Sequence, residues 1–249
     1  MLSHASLCAR HGLATFSPAS HTAVYLHHEL ARLEQLLVRH CSAKLRAAGF
    51  EQFSNPDFTK SVMLEGCGLD LFHPDSAFTL NPHQEFGDRE SCNAMYLTGG
   101  ASLVSFASYF ARSVLQNSSI LPLRMFSCGR SYTPRPAPAT NATPSLFALQ
   151  QSQAVAGFCL AVDEAGLEVE LDCLLSTMQQ LLAGWPNLTV TELSLTSCNA
   201  SSSRQFSFSI KGAQVSFRVI FIKMSRKTQY RLLLRLAACR CRAATSATG

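Results

Sequence analysis

Ten cysteines and eight histidines are the residues of this 249-residue sequence best equipped for metal or redox chemistry. Their spacing argues against both. No two cysteines form a CxxC pair, and the closest are Cys239 and Cys241. Zinc ribbons and knuckles hold their ion with paired ligands at short fixed intervals, so no metal site is expected. His27 and His28 are adjacent, and adjacent residues on a helix do not face one ligand. Disulfide scaffolds belong to chains too small to build a core. This chain, with 47% hydrophobic and 15% charged residues, has ample material for one. The cysteines therefore read as free thiols in a reducing compartment. Arg226, Lys227, Arg231, Arg235, Arg240 and Arg242 supply much of the net charge of +5. They could touch RNA or an acidic surface, or form a solvated terminus. Tyr230 is the only aromatic among them, which leaves base stacking little to use. Asn117, Asn141, Asn187 and Asn199 head N-x-Ser/Thr sequons. Without an apolar signal peptide these read as chance matches.

The elements that must carry any site follow from periodicity. Residues 22–48 are predicted helical: Leu26, Leu30, Leu33, Leu37, Cys41 and Leu45 step by three or four into one apolar stripe, and Gly49 ends it. That stripe fits an interface or ordinary core packing. A short extended stretch near 50–53 and a turn at Pro56 follow. A second helix is predicted over 101–116, with Leu103, Phe106, Phe110 and Val114 on one face. A strand is expected over 121–127. Prolines 134, 136, 138 and 144 make 133–145 a mobile loop. Residues 153–162 suit a buried strand, and 163–183 form the clearest helix, with Leu167, Leu171, Leu174, Leu175, Met178, Leu181 and Leu182 on one side. Phe206, Phe208 and Ile210 alternate with polar residues, and Lys211-Gly212-Ala213 suggests a hairpin into 215–222. No apolar run reaches the roughly 18 residues that span a bilayer. Strands returning by hairpins, with helices on one face, give an α+β fold with a mainly antiparallel sheet.

Certain blocks go further than periodicity. Leu64-Glu65-Gly66-Cys67-Gly68 follows a helix that begins Tyr25-Leu26 and ends Ala48-Gly49-Phe50. This resembles the opening of the seryl-tRNA synthetase catalytic domain, where the class II motif 1 helix forms the dimer interface. Leu97-Thr98-Gly99-Gly100-Ala101-Ser102 is similar to that family's serine-binding loop. Leu121-Pro122-Leu123-Arg124-Met125-Phe126, running on to Tyr132, is similar to the first strand of motif 2. Leu146-Phe147 through Val155 and Phe158 resembles its return strand. The likeness covers roughly 22–185. It implies a class II aminoacyl-tRNA synthetase-like antiparallel sheet flanked by helices.

The resemblance also says what the chemistry would need. Seryl-adenylate formation is attack of the serine carboxylate on the ATP α-phosphorus, and negative charge builds on the phosphoryl oxygens. Fixed cations carry such catalysis. The family's motif 2 supplies Tyr/Phe-Arg-x-Glu; this sequence reads Tyr132-Thr133-Pro134-Arg135. Thr133 replaces the arginine and cannot make its bidentate phosphate contact. Arg135 replaces the glutamate with reversed charge. The family's Thr-x-Glu, which binds the serine ammonium, is here Gly100-Ala101-Ser102, so Gly100 and Ser102 are degenerate positions. In the ATP pocket the stacking phenylalanine, lysine and glutamate of the return strand become Ser152, Ala154 and Ala156. Motif 3 and the N-terminal coiled-coil arm have no counterpart, and the domain reads as incomplete at the C-terminus.

The expectation is a non-catalytic paralogue of mitochondrial seryl-tRNA synthetase. It binds no cofactor and dimerises through the motif 1-like helix, with itself or with the active mitochondrial enzyme. RNA is a further candidate partner. The alternative is a serine–tRNA ligase with divergent motifs, which would need ATP and Mg. Residues 1–21 carry Arg10, several histidines and Ser/Thr before the first acid, Glu29, a composition compatible with a mitochondrial targeting segment. Residues 22–222 form the degenerate synthetase-like domain, and 223–249 the basic tail.

Overall fold

The computed structural model describes residues 4–67, 69, 71, 77–80, 94–113, 120–132, 134, 146, 149–161, 163–183, 188–193, 204–210, 213–219, 223–224, 232–233 and 238–242. In chain order its elements are α1 (His4–Arg10), β1 (Ala14–Ser17), β2 (Ser20–Leu26), α2 (His28–Ala47), β3 (Glu51–Phe53), β4 (Phe58–Lys60), α3 (Ser61–Gly66), β5 (Phe78–Thr79), β6 (Met95–Leu97), α4 (Leu103–Tyr109), β7 (Leu123–Tyr132), β8 (Gln151–Leu160), α5 (Glu164–Leu182), β9 (Leu188–Leu193), β10 (Arg204–Ile210), β11 (Ala213–Val219), β12 (Lys223–Met224), β13 (Leu232–Leu233) and β14 (Ala238–Arg242).

The long strands β7 and β8 pair antiparallel from Leu123↔Leu160 to Tyr132↔Gln151 with unbroken register. β3 adds to β7 in parallel, giving the order β3-β7-β8. Side chains alternate across a strand, so the register sorts them onto two faces. Met125, Ser127, Gly129 and Ser131 share one face with Phe158, Ala156, Ala154 and Ser152. Arg124, Phe126, Cys128 and Arg130 share the other with Cys159, Gly157, Val155 and Gln153.

Helices cover both faces, where the sequence pattern suggested one. On the first face, α4 presents Leu103, Phe106 and Ala107, with Phe110 just beyond it, to Met125, Phe158 and Leu160. Phe106 stacks on Phe158 at 5.2 Å between ring centroids and is fully buried. Truncating such a ring to alanine costs about 3–5 kcal/mol. On the second face, Leu45 and Phe50 close over Phe126, with Val155 and Leu174 packed around them. A Cβ at Gly157 would lie 3.4 Å from Leu174 Cδ1, so α5 sits in contact with the strand there.

α2 lies along β7 in opposite sense. Arg130 Nη1 meets Glu34 at 3.7 Å. Cys128 Sγ lies 3.1 Å from Ser42 Oγ. Farther along, Leu45 joins Phe126, and Arg124 Nη1 donates to the Ala48 carbonyl at 3.3 Å. Ser42 gives its own hydrogen to the Val38 carbonyl at 2.7 Å. The Cys128 thiol is therefore the donor of its contact with Ser42.

Two predicted helices change shape. The one predicted to start at residue 22 starts at His28, because Thr22-Ala23-Val24-Tyr25 belongs to β2. β2 pairs with β1, and Thr22 Oγ1 donates to Gln150 Oε1 at 2.9 Å. This hairpin crosses the boundary drawn at residue 21. The predicted apolar stripe also splits. Of its members Leu45 is 3% exposed, whereas Leu33 and Leu37 are 47% and 37% exposed; Leu36, outside the stripe, is 59% exposed. The helix turns Glu34, Val38 and Ser42 inward instead, because Glu34 and Ser42 find partners on β7. The helix predicted over 101–116 shrinks to seven residues. It stops at Phe110, ahead of Arg112, whose φ of 60° lies in the left-handed region that a helix cannot continue through. Val114 lies outside the described residues.

The helix after Asp163 and the strand expected over 153–162 form close to their expected bounds, while the strand expected over 121–127 runs on to Tyr132; residues 220–222 of the last expected strand lie outside the described residues. Asp163 caps α5, accepting from Gly166 N at 2.7 Å. β10 and β11 form the predicted hairpin, closing at Ile210↔Ala213. They belong to a sheet of order β14-β11-β10-β9, so Ala238–Arg242 of the basic tail is a strand. No helix among the described residues is long and apolar enough to cross a membrane.

Candidate functional site

The floor of the candidate site is the α4 face of β7 and β8. It is built from Ser127, Gly129 and Ser131 opposite Ala156, Ala154 and Ser152. All six are small, and none is charged. The two arginines of β7 alternate onto the other face. There Arg124 pairs with Glu170 and Arg130 with Glu34. Among the described residues of these strands, every cation points away from the floor.

The loop at residues 98–102 is seated on this floor. Ser127 Oγ donates to the Gly100 carbonyl at 2.7 Å, and Ala101 N donates to the Arg130 carbonyl at 3.3 Å. Two glycines permit the approach. Gly99 has φ of +92°, and a Cβ there would fall 2.1 Å from the Arg130 carbonyl oxygen. A Cβ on Gly129 would stand 3.2 Å from Ala101 N.

The opposite side of the loop is held by residues 55–57. Asp57 Oδ1 accepts from Gly100 N at 2.6 Å, and its carbonyl accepts from Thr98 N and Gly99 N at 2.9 and 3.0 Å. Asn55 Nδ2 donates to the Gly100 carbonyl at 3.3 Å. Ser105 Oγ donates to the Pro56 carbonyl at 3.1 Å. Sequence reasoning missed Asn55 and Asp57 as a clamp. The signal was present, since Asx side chains flanking a proline bind nearby backbone in turns.

The positions expected to be degenerate make structural contacts of their own. Gly100 lies between clamp and floor, and a Cβ there would meet the Asn55 carbonyl oxygen at 2.9 Å. Ser102 caps α4, its Oγ accepting from Val104 N at 3.3 Å. Ala154 and Ala156 lie on the floor, with Ala156 packed against the α4 cluster. Ser152 is exposed at the outer end of β8. The structure brings Gly100, Ala154 and Ala156 together around Ser127 and Gly129. Thr133 and Arg135 lie outside the described residues.

Other reactive groups sit apart from the site. Cys8, Cys41, Cys67, Cys128, Cys159 and Cys173 carry free thiols. Burial pushes Cys67 up to about 11. Burial, and then the Glu170 carboxylate, push Cys159 up to about 12. Burial followed by the neighbouring Cys128 raises Cys41. His27 Nε2 contacts Thr15 Oγ1 at 3.0 Å, so its ring is part of the β1–β2 packing. Among the described residues no three His, Cys, Asp or Glu side chains converge where a metal could sit.

No family model matches the chain. It is 32% identical over 127 residues to the serine–tRNA synthetase-like protein Slimp of Drosophila melanogaster, across 51% of this chain and 26% of that protein. It is 26% identical over 140 residues to the serine–tRNA ligase of Borrelia recurrentis, across 56% of this chain and 30% of that one. The matches therefore span less than a third of either relative. Among solved structures it superposes on seryl-tRNA synthetase from Pyrococcus horikoshii complexed with ATP, with a TM-score of 0.68 and 18% identity. That match covers 86% of this chain and 48% of the other. It also superposes on Giardia lamblia prolyl-tRNA synthetase in complex with prolyl-adenylate, with a TM-score of 0.65 and 12% identity. That match covers 86% of this chain and 43% of the other. These likenesses establish the α+β fold of class II aminoacyl-tRNA synthetases.

Proposed function

We propose, from the premise that this is a seryl-tRNA synthetase-like protein on the class II aminoacyl-tRNA synthetase fold, that it is a non-catalytic paralogue working in mitochondria through macromolecular binding. Its partner is an active mitochondrial seryl-tRNA synthetase, met through the outward face of α2, and RNA is a second candidate ligand. It needs no ATP or Mg.

The carrying observation is the uncharged floor of the site. Adenylate formation concentrates negative charge on transferring phosphoryl oxygens, and it is stabilised by fixed positive groups aimed at them. Here the floor offers glycine, alanine and serine, while Arg124 and Arg130 are committed to ion pairs on the other face. The serine-ammonium positions fare the same way. Gly100 carries no side chain, and Ser102 is spent on a helix cap. The described elements around them pack closely, which fits a chain kept for binding. The leucines of α2 that remain outside supply an apolar surface for a partner.

Serine-dependent ATP–pyrophosphate exchange tests the catalytic half of the proposal. No exchange above background is expected. Clear exchange that disappears on changing Ser102 or Thr133 would establish the serine–tRNA ligase alternative instead. Affinity purification from mitochondria tests the binding half, and failure to recover a synthetase subunit refutes it.

A further inference from the structure

The outward face of α2 has a charge pattern as well as an apolar centre. Leu33, Leu36 and Leu37 are exposed. Around them Arg32, Arg39, His40 and Arg46 are exposed too. Arg32, Arg39 and Arg46 are spaced by seven residues, so they recur about every two turns and run as a line beside the leucines. Exposed acid on the helix is confined to Glu29, which meets Arg32 at 3.4 Å. The other acid, Glu34, is turned inward to Arg130. Arg46 leans on the Phe126 ring and bonds Gln52, so Arg32 and Arg39 are the two cations best placed to meet a partner.

We infer that this basic rim makes α2 select a non-identical partner, one that presents an apolar helix face bordered by carboxylates, over a second copy of this chain. The inference rests on the α2 docking surface proposed above. In a two-fold pair the same patch meets itself, and two copies of this face bring their arginines together with little acid between them. Like-charge juxtaposition disfavours such a pair, while an acidic rim would gain from it and be steered to it. The leucines alone do not discriminate, because apolar burial is non-directional. The charges decide which apolar face is accepted.

The chain itself provides the probe. A doubly reversed variant, Arg32→Glu with Arg39→Glu, keeps the leucines and acquires an acidic rim. Association is measured by light scattering on size-exclusion fractions at low salt, where exposed charges act most strongly. Circular dichroism first confirms that each variant is folded. The expected result is that wild type and variant each stay monomeric, while their mixture forms a one-to-one pair. That pair is at least about tenfold tighter than either self-association, weakens with salt, and is lost with Leu36→Asp. Wild-type homodimers at low salt that are abolished by Leu36→Asp would overturn charge selection and leave the α2 surface standing. No mixed pair between folded chains overturns the inference. A pair indifferent to Leu36→Asp overturns both it and the α2 reading.

Discussion

Arg124 holds Glu170 by both nitrogens of one edge: Nη2 donates to Oε1 at 2.8 Å, and Nε reaches Oε2. The pair joins β7 to α5. Hydrogen bonding to Glu170 raises the Arg124 guanidinium further above its already high value. Glu170 is almost fully enclosed, while Arg124 keeps an open edge. The carboxylate is therefore the side that cannot be left alone. Arg124→Met should strand it and cost about 3 kcal/mol, the low end for a broken buried pair because the arginine is partly solvated. That corresponds to a fall of roughly 6–12 °C in melting temperature for a domain of this size. The double variant Arg124→Met, Glu170→Met should recover most of the loss. Thermal melts of the three proteins measure it, and a single variant as stable as wild type would show that the pair contributes nothing.

Arg130 and Glu34 provide the contrast. Both side chains of that pair are partly open, and exposed pairs contribute about 0.2–1 kcal/mol. Arg130→Gln should lower stability by no more than that, with the loss shrinking in high salt. A loss matching that of Arg124→Met would mean that α2 is held on β7 chiefly by charge rather than by Leu45 and Phe126.

Gly100 bears on whether this loop could accommodate the serine-binding residues of the family it resembles. The seryl-tRNA synthetase resemblance places a threonine there, but a Cβ would press on the Asn55 carbonyl oxygen at 2.9 Å and approach Asp57 Oδ1 at 3.4 Å. Gly100→Thr should therefore cost about 1–3 kcal/mol through overpacking. Combined with Ser102→Glu and Thr133→Arg, it should still give no serine-dependent exchange. Recovery of exchange in the triple variant would show that the loop moves freely off Asn55.

Much of the fold was legible in local pattern. The helix after Asp163 announced itself by its leucine spacing, β7 and β8 read as extended runs, and β10 alternated ahead of its hairpin with β11. What failed depended on partners far along the chain. Thr22 belongs to a strand and meets Gln150, 128 residues away. Glu34 and Ser42 turn inward because Arg130 and Cys128 receive them, and that rotation leaves Leu33 and Leu37 outside. Leu36 was no part of the predicted stripe, yet it is the most exposed of the three. The residues standing at the family's site positions were legible as identities. That Arg124 and Arg130 face away from the site follows only from the register of β7 on β8.

Ser102 has a measurable role of its own. Its Oγ accepts from Val104 N at the start of α4, and α4 supplies Phe106 to the core. Ser102→Ala should destabilise by about 1 kcal/mol, the usual loss for an N-cap hydroxyl. Ser102→Asp should be close to neutral, since aspartate caps equally well. Equal stability of all three, read from urea midpoints at unchanged slope, would remove the cap from the account.

Two half-buried thiols, Cys67 and Cys159, contribute to the loss of stability at alkaline pH. Cys67 and Cys159 have an ordinary value of 9.0 and are pushed up to about 11 and about 12 in the folded chain. In the unfolded chain they lose their protons first, so above pH 9 the unfolded state binds fewer protons than the folded one. Stability then falls as pH rises. The contribution is fully present below pH 9 and disappears as pH climbs through the folded values, in the window from about 9 to 12. Cys159→Ala should flatten the decline of urea midpoint between pH 9 and 10.5, even though it lowers stability at pH 7 by removing a packed side chain. Alkylation of the native protein gives a second readout. Cys159, half-buried and near Glu170, should be the last of the two thiols to react. An unchanged pH slope in Cys159→Ala, together with rapid native-state alkylation at that position, would show that the thiol is not held protonated by its surroundings.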